Sequence, residues 1–137
     1  MTGPSRNFFT LFSLHLRESA AWYVALLGYR VEFDSDWFVQ LQSPSEPAVE
    51  LGIIARDHAL VPERFRAAPA GGMLTVVVAD VDAVCGRARS VGARIVEEPT
   101  DQFYGQRRML LLDPDGLLVD VSSACSPDPA WLESLKA

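Results

Sequence analysis

The chain is 137 residues long, 49% of them hydrophobic, with a formal net charge of −6. That is enough apolar material for one compact domain or two small fused modules, while no apolar run approaches the roughly 18 residues of a membrane span. The acidic balance argues against a nucleic-acid partner, whose phosphates demand basic patches. The two cysteines, Cys85 and Cys125, fit neither a metal spacing nor a disulfide framework, and the N-terminus lacks a basic flank before an apolar core. A cytoplasmic protein with reduced thiols and no signal peptide is therefore expected.

In chain order, residues 1–6 read as a loose start and 8–14 as a strand. Residues 17–27 carry apolar side chains at Ala20, Ala21, Tyr23, Val24 and Leu27, the spacing of a helix with one buried face. Gly28 stops it, as a glycine just past a helix end commonly does. Three short strands follow at 29–33, 37–41 and 48–54, separated by the turn signals Asp34-Ser35-Asp36 and Ser43-Pro44-Ser45-Glu46-Pro47. Residues 55–72 form a linker, with about one helical turn over 61–66. A strand over 73–79 precedes a helix over 83–91 capped by Asp80 or Asp82, because a short acid satisfies the orphan N–H groups of a first turn. Residues 94–97 are a short strand.

A hairpin follows. Its apolar arm Met109 to Leu112 leads into Asp113-Pro114-Asp115-Gly116, where Pro114 presets φ and Gly116 supplies a positive φ. The return arm, Leu117-Leu118-Val119-Asp120-Val121, carries one acid among aliphatic residues. The tail, 124–137, ends in a short helix with Trp131, Leu132 and Leu135 at helical spacing, placed to dock on the body or on a partner subunit.

The two halves match. Ala48-Val49-Glu50-Leu51-Gly52 corresponds position by position to Leu118-Val119-Asp120-Val121-Ser122, and Thr10 to Leu14 corresponds to Leu74 to Val78. Each half reads strand, helix, glycine stop, three strands. A duplication of about 65 to 70 residues with two copies is too short for a solenoid and implies a paired arrangement around one core.

This pattern, with Ser19, Trp22, Tyr23 and Leu26 to Tyr29 in the first half and Tyr104-Gly105-Gln106-Arg107 before Asp113-Pro114-Asp115-Gly116 in the second, resembles the vicinal oxygen chelate superfamily. That superfamily contains glyoxalase I, extradiol dioxygenases and bleomycin- and mitomycin-resistance proteins. The resemblance covers about residues 8–123. It implies an α+β fold of two tandem βαβββ modules, 7–54 and 73–123, in a single domain, with curved mixed sheets enclosing a cleft and assembly as a homodimer.

Metalloenzymes of the superfamily place one ligand on the first strand and one on the last strand of each module. Carried over, the last-strand positions are Glu50 and Asp120. The first-strand positions are Phe8 (or Phe9) and Met73 (or Leu74), which offer nothing to the hard cations such enzymes use. Two carboxylates fall short of the three or so protein ligands of a catalytic metal, so no metal and no cofactor are expected. His15, where the first strand runs into its helix, reads as a helix-start contact, and His58 as a solvated loop residue.

What remains is binding. The expectation is metal-independent capture of a small aromatic or cationic molecule, as in the resistance-type proteins. Aromatic side chains give large contact area at small entropic cost and stack on cations. The candidates are Trp37 or Phe38 and Phe103 or Tyr104, one of each pair facing a ligand because side chains alternate; Trp37 and Tyr104 are the choices. Glu50 and Asp120 then either meet a cation or form structural salt bridges with Arg107, Arg108 or Arg30. Gln102 and Gln40 are further polar contacts, and Arg107 reads as structural. The competing expectations are a metal-dependent glyoxalase- or dioxygenase-like enzyme using Glu50 and Asp120, and a metal-free isomerase or epimerase with Glu50 as general base.

Overall fold

The computed structural model describes residues 2–136. The elements are β1 (Phe9–Ser13), α1 (Leu16–Leu27), β2 (Arg30–Asp34), β3 (Phe38–Gln42), β4 (Glu50–Ala55), β5 (Met73–Val77), α2 (Val81–Ser90), β6 (Arg94–Asp101), β7 (Gln106–Leu112), β8 (Leu118–Ala124) and α3 (Pro129–Ser134), with a 3₁₀ turn at Glu63–Phe65 in the linker. They form two open, curved, four-stranded mixed sheets of orders β1-β4-β3-β2 and β5-β8-β7-β6. In each, the first and last strands of a βαβββ module pair in parallel and the other pairs are antiparallel. The α+β duplication read from the sequence is therefore present. The chain divides into two compact units, one reaching to Gly71 and including Pro114–Gly116, the other taking Gly72–Asp113 and Leu117 onward.

Within the first unit, strict alternation sends Leu11, Val39, Leu41, Leu51 and Ile53 to one face of the sheet, all essentially inaccessible. Each such side chain contributes about 1.5–3 kcal/mol on burial. α1 presents Ser19, Ala20, Tyr23 and Leu26 as its buried residues. Of the apolar positions expected on the buried face, Ala20 and Tyr23 are buried, whereas Ala21 and Val24 are exposed and Leu27 half-buried. A serine, which the apolar pattern passed over, sits fully inside.

Ser19 is admitted because it has a partner. Its hydroxyl and that of Ser13 both donate to Asp115 Oδ2 at 2.6 Å, and Leu14 N donates to Asp115 Oδ1 at 2.8 Å. Arg56 Nη2 stands 3.9 Å from the same carboxylate, whose side chain is fully inaccessible. Gly116, at φ +85°, lets the turn tip deliver Asp115 there. α1 has no side-chain cap of its own: His15 occupies the N-cap without one, and its backbone N–H goes to Ser13 Oγ at 2.9 Å.

In the second unit, Val119, Val121, Met109 and Leu111 are fully buried, and α2 contributes Val81, Val84, Cys85 and Ala88. Asp80, not Asp82, is the cap, accepting from Asp82 N and Ala83 N, and α2 starts two residues earlier than the apolar spacing indicated. β6 is twice the expected length. It continues through Pro99 to Asp101, with register shifts at Ile95/Glu97 and Glu97/Thr100. An edge strand with bulges accommodates a residue lacking an N–H.

Replacing Asp115 with alanine strands two buried hydroxyls and a backbone N–H. The expected loss is about 2–4 kcal/mol, on the scale of 1–3 kcal/mol per unsatisfied buried group, read by urea denaturation. A loss under about 1 kcal/mol refutes the assigned role of this carboxylate.

Candidate functional site

Each sheet has a face turned away from its helix, and in the first sheet the even-numbered residues of β1, β3 and β4 line it, with Phe33 of β2 brought to it by a bulge. Register places Thr10 beside Gly52 and Phe12 beside Ile54, with Phe38, Gln40 and Gln42 opposite Ile54, Gly52 and Glu50. Continuing the alternation back from β1 brings Phe8 and Arg6 to the same face. A Cβ at Gly52 would stand 3.1 Å from Phe38 Cζ, 3.2 Å from Thr10 Oγ1 and 3.3 Å from Phe8 Cε2. The missing side chain is what lets the Phe8 and Phe38 rings converge over the middle of the sheet.

Glu50 lies at the end of this aromatic floor. Arg6 meets it edge-on, Nε donating to Oε2 at 2.6 Å and Nη2 to Oε1. Gln40 Nε2 donates to Oε1 at 3.2 Å. The Arg6 guanidinium carbon sits 4.7 Å from the centre of the Phe8 ring. Hydrogen bonding from Arg6 holds the Glu50 carboxyl below its ordinary range, with the charge of Arg6 and the Gln40 amide adding to this and partial desolvation opposing it. The partner of Glu50 is thus none of Arg107, Arg108 and Arg30, but an arginine from the stretch read as a loose start.

Trp37 and Phe38 divide between faces. β3 begins at Phe38, so Phe38 takes the open face, 6.4 Å from Phe33 centre to centre. Trp37 stacks on His58, with centroids 4.2 Å apart and planes 15° from parallel. His58 is therefore not simply solvated: its Nδ1 accepts from Leu60 N at 3.1 Å while its ring covers Trp37.

On the second sheet the open face carries Met73, Thr75 and Val77 from β5, Leu118, Asp120 and Ser122 from β8, and Gln106, Arg108 and Leu110 from β7. Asp120 is 5% exposed. Ser122 Oγ donates to its Oδ1 at 2.7 Å and Thr75 Oγ1 to its Oδ2 at 3.4 Å. The residue beside Asp120 on β5 is Thr75, whereas Met73 stands opposite Leu118. Arg108 pairs with Glu97 at 3.2 Å. Hydrogen bonding to Glu97 raises its pKa first, with Tyr104 and Asp120 contributing further. Arg108 Nε and Gln106 Oε1 are buried without a hydrogen-bond partner. Arg107 turns the other way, to Asp82 on α2 and Asp101 on β6, the structural place read for it.

Gln102, Phe103 and Tyr104 lie in the β6–β7 connection. Phe103 meets Tyr104 and Trp131 edge to face, each at 5.3 Å. Asp128 N donates to Phe103 O at 2.8 Å, so the tail docks on this loop. Gln102 Nε2 turns back to Thr100 O at 3.4 Å.

Among the described residues no three of His, Cys, Asp and Glu cluster to hold a metal ion. The carboxylates on the open faces are Glu50 on the first, engaged by a guanidinium and an amide, and on the second Asp120, engaged by two hydroxyls, and Glu97, opposite Leu110 and paired with Arg108. That set does not fit the ligand sphere of a catalytic metal. Sequence reading missed Arg6 and Thr75. For Arg6 a signal existed, since residues 6, 8, 10 and 12 share one parity.

A family model for the Glyoxalase/Bleomycin resistance protein/Dioxygenase superfamily matches residues 6–121. No curated protein matches the chain. Similar solved structures include a glyoxalase/bleomycin resistance protein/dioxygenase family enzyme from Burkholderia phytofirmans PsJN, with TM-score 0.72, 18% identity, and 85% of this chain and 96% of that one covered. A glyoxalase/bleomycin resistance protein/dioxygenase from Nocardioides gives 0.70, 21%, 92% and 87%. TnmS3, an antibiotic binding protein from Streptomyces sp. CB03234, gives 0.70, 20%, 90% and 98%. At these identities the likeness is one of fold. Among the described residues no helix is long and apolar enough to cross a membrane.

Because Arg6 depresses the Glu50 pKa, the pair stabilises the fold above the ordinary carboxylate range. That contribution is lost as pH falls through the lowered value. In Arg6→Ala the Glu50 titration, followed by carboxyl ¹³C NMR, is expected to move back up. An unmoved midpoint excludes the pair in solution.

Proposed function

Since the chain belongs to the Glyoxalase/Bleomycin resistance protein/Dioxygenase superfamily, we propose that it serves the family's binding role: metal-independent capture, without chemical change, of a small aromatic or cationic molecule. The observation that carries this reading is the pairing of Glu50 with Phe8 on the first open face. Where the superfamily's metalloenzymes present a first-strand ligand, this chain presents a phenyl ring beside its one last-strand carboxylate. A ring and a carboxylate together suit a flat organic cation. TnmS3 lends support as a relative in fold that is an antibiotic binding protein.

The residues assigned to ligand contact are Glu50 in the first unit and Asp120, Gln102, Phe103 and Tyr104 in the second. Phe38, with Phe8, takes the place expected for Trp37, because it is Phe38 that reaches over Gly52 while Trp37 stacks on His58. Glu50, ionised at neutral pH, supplies charge; the rings supply area. The second unit differs in character, because Arg108 already stands near Asp120. Its unpartnered Gln106 Oε1 and Arg108 Nε suit a neutral polar group that both donates and accepts.

One observation favours a second reading. Glu50 and Asp120 occupy the last-strand ligand positions of the superfamily's metalloenzymes, and the Thr75 hydroxyl oxygen stands 3.4 Å from Asp120 Oδ2. A metal-dependent lyase or dioxygenase would need donors beyond these.

A thermal-shift screen of antibiotics and aromatic amines, run in chelator and again with Ni, Zn, Fe or Mn, separates the two. Binding at one hundred times Kd adds about 2.7 kcal/mol, a rise of several degrees. The expected result is stabilisation by a compound in chelator, with about tenfold weaker binding of cationic hits by Glu50→Gln. Stoichiometric metal that is lost on mutating Glu50 and Asp120, with no compound acting in chelator, overturns the proposal. The assembly proposed is a homodimer, so sedimentation should give twice the 15.1 kDa chain mass. A monomer at micromolar concentration removes that part.

A further inference from the structure

Arg6 is doing at Glu50 what a ligand would do. Its guanidinium uses two adjacent N–H groups, on Nε and Nη2, against the two oxygens of one carboxylate, and it lies over the Phe8 ring at 4.7 Å. The receptor half of this contact is fixed. Glu50 begins β4, its side chain is only 14% exposed, and Gln40 on β3 holds its Oε1. Phe8 is set against Gly52. The ligand half is free to leave. Arg6 precedes β1, lies outside helix and strand, and its side chain is 57% exposed.

We propose that Glu50, Phe8 and Gln40 form a guanidinium receptor which the chain's own N-terminal segment fills through Arg6, so that ligands bearing a guanidinium or amidinium group enter by displacing it. This rests on the binding reading above and names the chemical class for the first open face. The geometry discriminates among cations. A planar fork bonds both carboxylate oxygens in one plane while presenting its face to a ring. An ammonium is a point charge and cannot do both. Competition by a tethered group lowers apparent affinity by the fraction of receptors already filled. A short flexible tether gives an effective concentration on the order of millimolar, so weak ligands are excluded and strong ones admitted.

Phenylguanidine is a suitable probe, followed by calorimetry and by chemical-shift changes at Gln40 and Glu50, with benzylamine as the ammonium counterpart. Phenylguanidine is expected to bind Arg6→Ala roughly three- to tenfold more tightly than the unaltered chain. Arg6→Lys should fall between them, because a lysine competes as a charge but not as a fork. Arg6→Ala carrying Glu50→Gln should lose the probe, with circular dichroism reporting that each variant is folded. Benzylamine should bind Arg6→Ala at least threefold more weakly than phenylguanidine does. Equal phenylguanidine affinity with and without Arg6, or no binding to Arg6→Ala, overturns the inference. A guanidinium or amidinium compound that stabilises the protein in chelator yet is indifferent to both Arg6→Ala and Glu50→Gln also overturns it while leaving the broader binding reading intact. Absence from the screen of any compound that stabilises the protein in chelator removes the broader reading as well.

Discussion

The carboxylate of Asp115 is the constraint on which the first unit depends. A strand that runs directly into a helix leaves N–H groups without partners at the junction. α2 meets this locally, through Asp80. α1 has His15 at the corresponding place and draws instead on an acid a hundred positions away in sequence, which takes the Ser13 and Ser19 hydroxyls and the Leu14 N–H together. With those groups satisfied, α1 can seat Ser19 and Tyr23 against the sheet. One face is thereby closed, and the other is left open. A buried carboxylate without these donors would cost several kcal/mol, so the arrangement holds together or fails together.

The duplication, the helices, the glycine stop at Gly28 and the hairpin turn were legible because each is a local signal: a period, a cap or a fixed φ. Register was not, because it is a relation between strands. Matching Glu50 with Asp120 is sound as sequence alignment, yet in the sheets Glu50 forms the last pair of its hairpin, opposite Gln42, while that place in the other hairpin belongs to Leu118, opposite Leu112. The connections differ in length by two residues, 43–49 against 113–117, and the acid of the second unit is set two pairs deeper. On the parallel side, Thr75 and not Met73 lies beside Asp120.

The same sensitivity governs the aromatic residues. A one-residue slip of β3 against β4 reverses every assignment of face, and the Asp34-Ser35-Asp36 signal does not set that register. Ser35 decides it: its Oγ accepts from Phe38 N at 3.0 Å and its N donates to Phe38 O at 3.0 Å, so the pairing closes at Phe38. Arg6 was overlooked for a different reason. A segment without hydrophobic periodicity carries no element signal, although its parity with Phe8 and Thr10 continued the open face.

The two acids, alike in sequence, have been given opposite electrostatic settings. Glu50 is answered by a cation on an exposed side chain that belongs to no helix or strand. Asp120 is answered by the fixed hydroxyls of Thr75 and Ser122, with the Arg108 charge close by and itself anchored to Glu97. A cation approaching Asp120 meets Arg108 as well, and repulsion offsets what the carboxylate offers. Duplication supplied one scaffold twice, and the side chains around its last strand then diverged. The arginine at Glu50 comes from outside helix and strand, whereas the arginine near Asp120 is fixed on β7 by Glu97.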